Sequence, residues 1–136
     1  MFELTIRDKV YQFRFGMGFV REIEKTRQQK ADNGIMQDVG LQYAIAALID
    51  EDPVEVVNIL EIANKTEKDR VSKAYLDEYI EDENTDFEAM CKEILDFFER
   101  GNCTKKKTAA VMALVEAERA KANQTEQAPS MNNTGK

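Results

Sequence analysis

The chain has 136 residues, 43% of them apolar and 33% charged, which is enough for one domain around one core and short for two. A net charge of −7 argues against the clustered basic face that nucleic-acid binding requires, and the absence of histidine removes the usual partner of a zinc-binding or catalytic cysteine. The charge is uneven: seven Lys/Arg against four Asp/Glu over residues 1–30, six against nineteen over 31–103, and six against three over 104–136. This reads as a solvated acidic middle, with head-to-tail self-association through the basic ends as the alternative.

In the first fifteen residues, MFELTIRDKVYQFRF, apolar and polar side chains alternate on two arms. Phe2, Leu4 and Ile6 share one face, as do Tyr11, Phe13 and Phe15, which predicts a β-hairpin turning at Asp8-Lys9. That pair lacks the glycine favoured in a type I′ turn. An isolated hairpin is marginal in water, so its aromatic face requires a helix or a partner's sheet to lie on. Gly16 and Gly18 end the strand, and Phe19, Val20 and Ile23 open a helix expected to reach about Lys30, where Asp32-Asn33-Gly34 breaks it. The two glycines are turn punctuation, because no Lys-Ser/Thr pair follows to make a phosphate loop.

Leu41, Ala44, Ile45 and Leu48 place a helix over Val39 to Ile49. Asp52 then stands as N-cap, Pro53 at the first helical position and Glu55 at the capping-box position of a valine-rich, centrally buried helix running to about Ala63. After a polar loop, Ser72 caps a helix carrying Ala74, Tyr75, Leu76, Tyr79 and Ile80. Thr85 and Glu88 predict a second capping box for the helix Asp86 to Arg100, with Gly101 as its C′ residue. On that helix Phe87, Cys91, Ile94 and Phe98 form a stripe, widened by Met90 and Phe97 on one side and Leu95 on the other. The arc exceeds what one neighbouring helix covers. Thr104 caps a last helix through Lys105-Lys106-Lys107 to about Ala122, with Val111, Leu114 and Val115 on one side. The three lysines read as a solvated face, and a phosphate site is the sharper alternative.

The predicted fold is mainly α with an N-terminal β-hairpin (α+β), a single compact domain of five to six helices over residues 1–122. Residues 123–136 are almost free of apolar side chains and are expected to form a disordered polar tail. No catalytic signature, cofactor motif or metal-ligand spacing is present. The stretch Asp82-Glu83-Asn84-Thr85-Asp86 lacks the glycine and closing glutamate of a calcium loop. Cys91 lies on an apolar helical face and Cys103 in a turn, so neither demands an oxidising compartment. The longest apolar run, Ala109 to Val115, is far below the roughly 20 residues that span a bilayer. These features predict a cytosolic, non-enzymatic protein built to bind.

The block LTIRDKVYQFRFGMGFVREIEK, a hairpin with an aromatic second strand leading into a helix that opens Phe-Val-Arg-Glu-Ile, resembles the tail assembly chaperones of long-tailed, siphovirus-type bacteriophages. The helix ending at Asp52-Pro53, the valine-rich helix after it and the acidic helix Tyr75 to Glu81 extend the resemblance over most of residues 1–100. It implies a non-catalytic helical protein of the host cytoplasm, without cofactors, that binds the tape measure protein, keeps its apolar helices from aggregating, helps recruit tail tube subunits and is absent from the mature virion. It also implies a longer form, made by programmed frameshifting, that contacts the tube protein. The polar end Asn132-Asn133-Thr134-Gly135-Lys136 is similar to that of a short form, and Gly-Lys is compatible with a slippery GGA-AAA.

A chaperone for helical clients needs an apolar groove rimmed by charge. The candidate surface is Met90 and Phe97 with Met112 of the last helix, because methionine accommodates varied partners. Phe97→Asp is then expected to spare the fold and abolish client binding. The alternative reading is an acidic helical adaptor or inhibitor that docks on a basic partner, for which binding falls steeply with salt.

Overall fold

The computed structural model describes the backbone of residues 1–134 and the side chains of residues 1–123. The fold is mainly α, with the N-terminal hairpin that the alternation predicts. Strands β1 (Phe2–Ile6) and β2 (Lys9–Phe13) pair antiparallel in the register Phe2↔Phe13, Leu4↔Tyr11, Ile6↔Lys9. The turn is Arg7-Asp8, one residue before the expected Asp8-Lys9, and both residues are left-handed, with φ of 52° and 64°. That is the type I′ geometry, made here without glycine. A turn at Asp8-Lys9 shifts the pairing by two residues and leaves the same side chains on the same face, so alternation does not choose between the two. Arg7 is held by an exposed 2.8 Å ion pair to Glu78 and lies 4.6 Å from the centre of the Tyr75 ring.

The hairpin packs through β2 on α3 (Pro53–Asn64) and through β1 on α4 (Lys73–Glu81), and the aromatic side chains at its open end meet α1 (Met17–Glu24) and α5 (Phe87–Arg100). Phe15, just past β2, meets Phe19 of α1 at 5.2 Å and Phe98 of α5 at 5.1 Å between ring centres, and Phe2 meets Phe97 at 5.9 Å. The first helix stops well before the expected Lys30. Residues there form a second, wholly exposed hairpin, β3 (Gln28–Lys30) with β4 (Met36–Asp38), around the predicted break at Asp32-Asn33-Gly34. Gly34 takes φ +86° in its turn, a value L side chains rarely adopt.

Helix α2 (Gly40–Asp50) packs on α1 so closely that a Cβ on Gly40 would stand 1.6 Å from the Ile23 carbonyl oxygen. Its N-terminus has no cap of its own; Glu24 of α1 accepts from the Leu41 amide at 2.8 Å. Helix α3 (Pro53–Asn64) starts as predicted, with Asp52 accepting from the amides of Val54 and Glu55. The reciprocal half of the capping box is not made. The Asp52 amide already donates to the Ala47 carbonyl at 3.0 Å, and the Glu55 carboxylate instead receives Arg27 at 2.9 Å. Val56, Val57, Ile59, Leu60 and Ile62 are buried, while Val54 is 69% exposed.

Ser72 caps α4 (Lys73–Glu81) through the Tyr75 amide. Helix α5 is capped by Asp86, accepting from Ala89, and not by the expected Thr85, whose hydroxyl donates to the Tyr79 carbonyl at 2.6 Å. Gly101 is the C-cap with φ −72°, not a left-handed C′ residue; a Cβ there would approach Thr104 Oγ1 to 2.9 Å. Helix α6 spans Lys105–Thr134, past the end expected near Ala122. The polar tail expected over 123–136 falls on residues whose side chains, from 124 on, lie outside those described.

One buried polar residue ties the layers together. Asn64, 1% exposed at the end of α3, donates to the carbonyls of Gln12 and Asp69, both at 2.9 Å, and accepts from the Val71 amide at 2.8 Å. A single side chain thus fixes β2 and the loop before α4 to the end of α3.

Candidate partner-binding cleft

The last helix is fastened at its start and released farther on. Thr104 does not cap it through its side chain. The buried hydroxyl of Thr104 instead donates to the Phe98 carbonyl at 2.7 Å, and that of Thr108 donates to the Thr104 carbonyl at 2.8 Å. Among the described residues of α6 Val111 is the last that is fully buried, Met112 and Val115 are half-buried, and residues 116–123 are exposed. As the helix leaves the core it opens a cleft of about 190 Å³ against α2 and α5. Leu48, Ile49, Leu95, Met112 and Val115 form its apolar wall, and Glu51, Lys92, Glu116 and Arg119 its rim. On the other side of α6 a second depression continues the apolar surface through Tyr43, Ala46 and Leu114, with Leu114 59% exposed.

The structure separates the three residues singled out as a partner surface. Met112 lines the cleft. Phe97 faces the hairpin, where its ring packs on Phe2 and Phe15 and lies 4.9 Å from the Arg100 guanidinium carbon. Met90 is 6% exposed and belongs to the core. The wide apolar arc of α5 is therefore shared: the hairpin covers the Phe97 flank, and the Leu95 flank is left at the cleft. The sequence signal for this side was Leu95 on α5 together with Met112 and Val115, one turn apart on α6.

Both cysteines are free thiols. Burial, and secondarily the charge of Glu51, push the Cys91 thiol up to about 11, so it stays protonated at neutral pH. Cys103 is exposed. Among the described residues no group of His, Cys, Asp or Glu side chains is placed to hold a metal ion, and no helix is long and apolar enough to cross a membrane.

A small helical domain with an open, charge-rimmed apolar cleft has the form of a module that holds another polypeptide. Residues 3–112 match the family described as phage tail assembly chaperone protein, TAC. The match covers most of the chain, and the protein belongs to that family. No curated protein and no solved structure matches it.

Proposed function

We propose that this chaperone binds the tape measure protein of its phage and keeps that protein's apolar helices soluble while the tail is built. The observation that carries the reading is the cleft between α2, α5 and α6, where half-buried Ile49, Leu95, Met112 and Val115 stand over buried Leu48 and charges of both signs stand around them. An amphipathic client helix laid there buries its apolar stripe and keeps its polar face in water. Met112 supplies a side chain that adapts to different client residues. The protein acts by binding, without catalysis or cofactor, in the host cytoplasm, and leaves before the virion is complete. Recruitment of tail tube subunits falls to a longer frameshifted form, and copies of the chaperone associate with one another on the client.

Co-expression tests the reading. The tape measure protein is expected in the soluble fraction with the wild-type chaperone and in the pellet with Leu95→Asp/Met112→Asp, although circular dichroism shows the variant folded. Equal solubility with both chaperones overturns the assignment of the cleft.

A further inference from the structure

A second groove, between α3 and α4, shares no lining residue with the cleft and has a different electrostatic character. Helices α3 and α4 run antiparallel, since Lys73 at the start of α4 reaches Asn58 and Glu61 far along α3, while Pro53, Val54 and Val57 at the start of α3 meet Ile80 near the end of α4. The apolar groove between these ends holds about 350 Å³ and is edged by Asp77 and Glu81. Val54 on its lip is, among the described residues, the most exposed of the large apolar side chains, at 69%.

The two segments that build the groove contain no cation. Residues 31–64 and 74–91 include no lysine or arginine and seven Asp/Glu each. Four of these fourteen carboxylates are ion-paired with cations from outside the segments: Glu55 with Arg27, Glu61 with Lys73, Glu78 with Arg7 and Glu88 with Lys92. Among the described residues Asp77 and Glu81 are in no ion pair, and they stand four apart on one exposed helical face, where like charges repel. Asp52, the N-cap of α3, and Asp82, the C-cap of α4, stand at the same end of the two antiparallel helices.

We propose that the α3–α4 groove is a second docking site, separate from the α2–α5–α6 cleft, for a basic amphipathic helix of a protein partner. The partner inserts a branched apolar side chain beside Val54, Val57 and Ile80 and places Lys or Arg, one turn to either side, against Asp77 and Glu81. Charge complementarity commits the groove to this occupant: the cleft under α6 has a mixed rim, and this one is purely acidic. The proposal stands whether or not the cleft holds the tape measure protein.

Anisotropy titrations of the full chain with a fluorescent leucine-lysine amphipathic peptide, and with its leucine-glutamate counterpart, test it. The lysine peptide is expected to bind and the glutamate peptide not. Val54→Asp is expected to weaken binding about tenfold, and Asp77→Asn/Glu81→Gln to weaken it about tenfold while flattening its salt dependence. Val54→Asp decides most, because it adds negative charge at an exposed position. Diffuse attraction to an acidic protein would then strengthen binding, and unchanged or tighter binding overturns the proposal. Loss of binding in Leu95→Asp with Val54→Asp unaffected also overturns it, by placing the peptide in the other cleft.

Discussion

Asn64 shows how one residue decides local architecture. Its side chain satisfies three backbone groups from two separate segments, and burial leaves no water to replace it. Asn64→Ala strands those groups and is expected to cost about 3 kcal/mol in urea unfolding. In the sequence this asparagine reads only as the start of a polar loop, because its partners Gln12, Asp69 and Val71 reach it only through the fold. The cysteines give a second residue-scale prediction. At pH 8 an aromatic disulfide reagent is expected to titrate one thiol, Cys103, in the native protein and two in denaturant. The folded Cys91 thiol ionises near 11 against an ordinary 9.0, so its neutral form favours the fold. That contribution is complete below pH 9 and is lost as pH rises from 9 through 11. Two reactive thiols in the native state would contradict the burial of Cys91.

At the scale of elements, α5 carries the clearest lesson. Its stripe was legible in the sequence, but which flank meets solvent was not, since apolar residues on both flanks look alike until the hairpin is laid across one of them. Phe97→Asp puts a carboxylate against Phe2 and Phe15, so it is now expected to destabilise the fold by about 2 kcal/mol in urea unfolding, instead of sparing it. Met112→Asp, half-exposed, is expected to stay within about 0.5 kcal/mol of wild type. Equal stability of the two variants would contradict this division of α5. The boundary at Asp52-Pro53 was readable because cap, proline and periodicity agree there. The cap of α5 was misassigned because Thr85 and Asp86 are both competent, and a tertiary hydrogen bond to Tyr79 takes the threonine. Of the hairpin β3–β4 only the break at Asp32-Asn33-Gly34 was legible, because all its strand residues are exposed and no apolar alternation marks them.

For the whole molecule, the fold class and the family were legible from the N-terminal block and the helix boundaries, whereas the candidate cleft was legible in only one residue, Met112. A cleft is made by where α6 departs from the core, and the start of α6 is fastened by the Thr104 hydroxyl on the Phe98 carbonyl of α5 and the Thr108 hydroxyl on the Thr104 carbonyl, which no helical periodicity records. The molecule that results has a closed aromatic core under the hairpin, a mixed-charge cleft at α6 and an acidic groove between α3 and α4. Hydrogen exchange of the chaperone with and without the tape measure protein of its phage tests whether the client lies in the cleft, as proposed. Slowed exchange is expected in the second half of α2, around Lys92 and Leu95 of α5 and in α6 from Met112 to Arg119, with α1 and the hairpin unchanged. Protection confined to the hairpin and α1, with α6 exchanging as in the free protein, would contradict it.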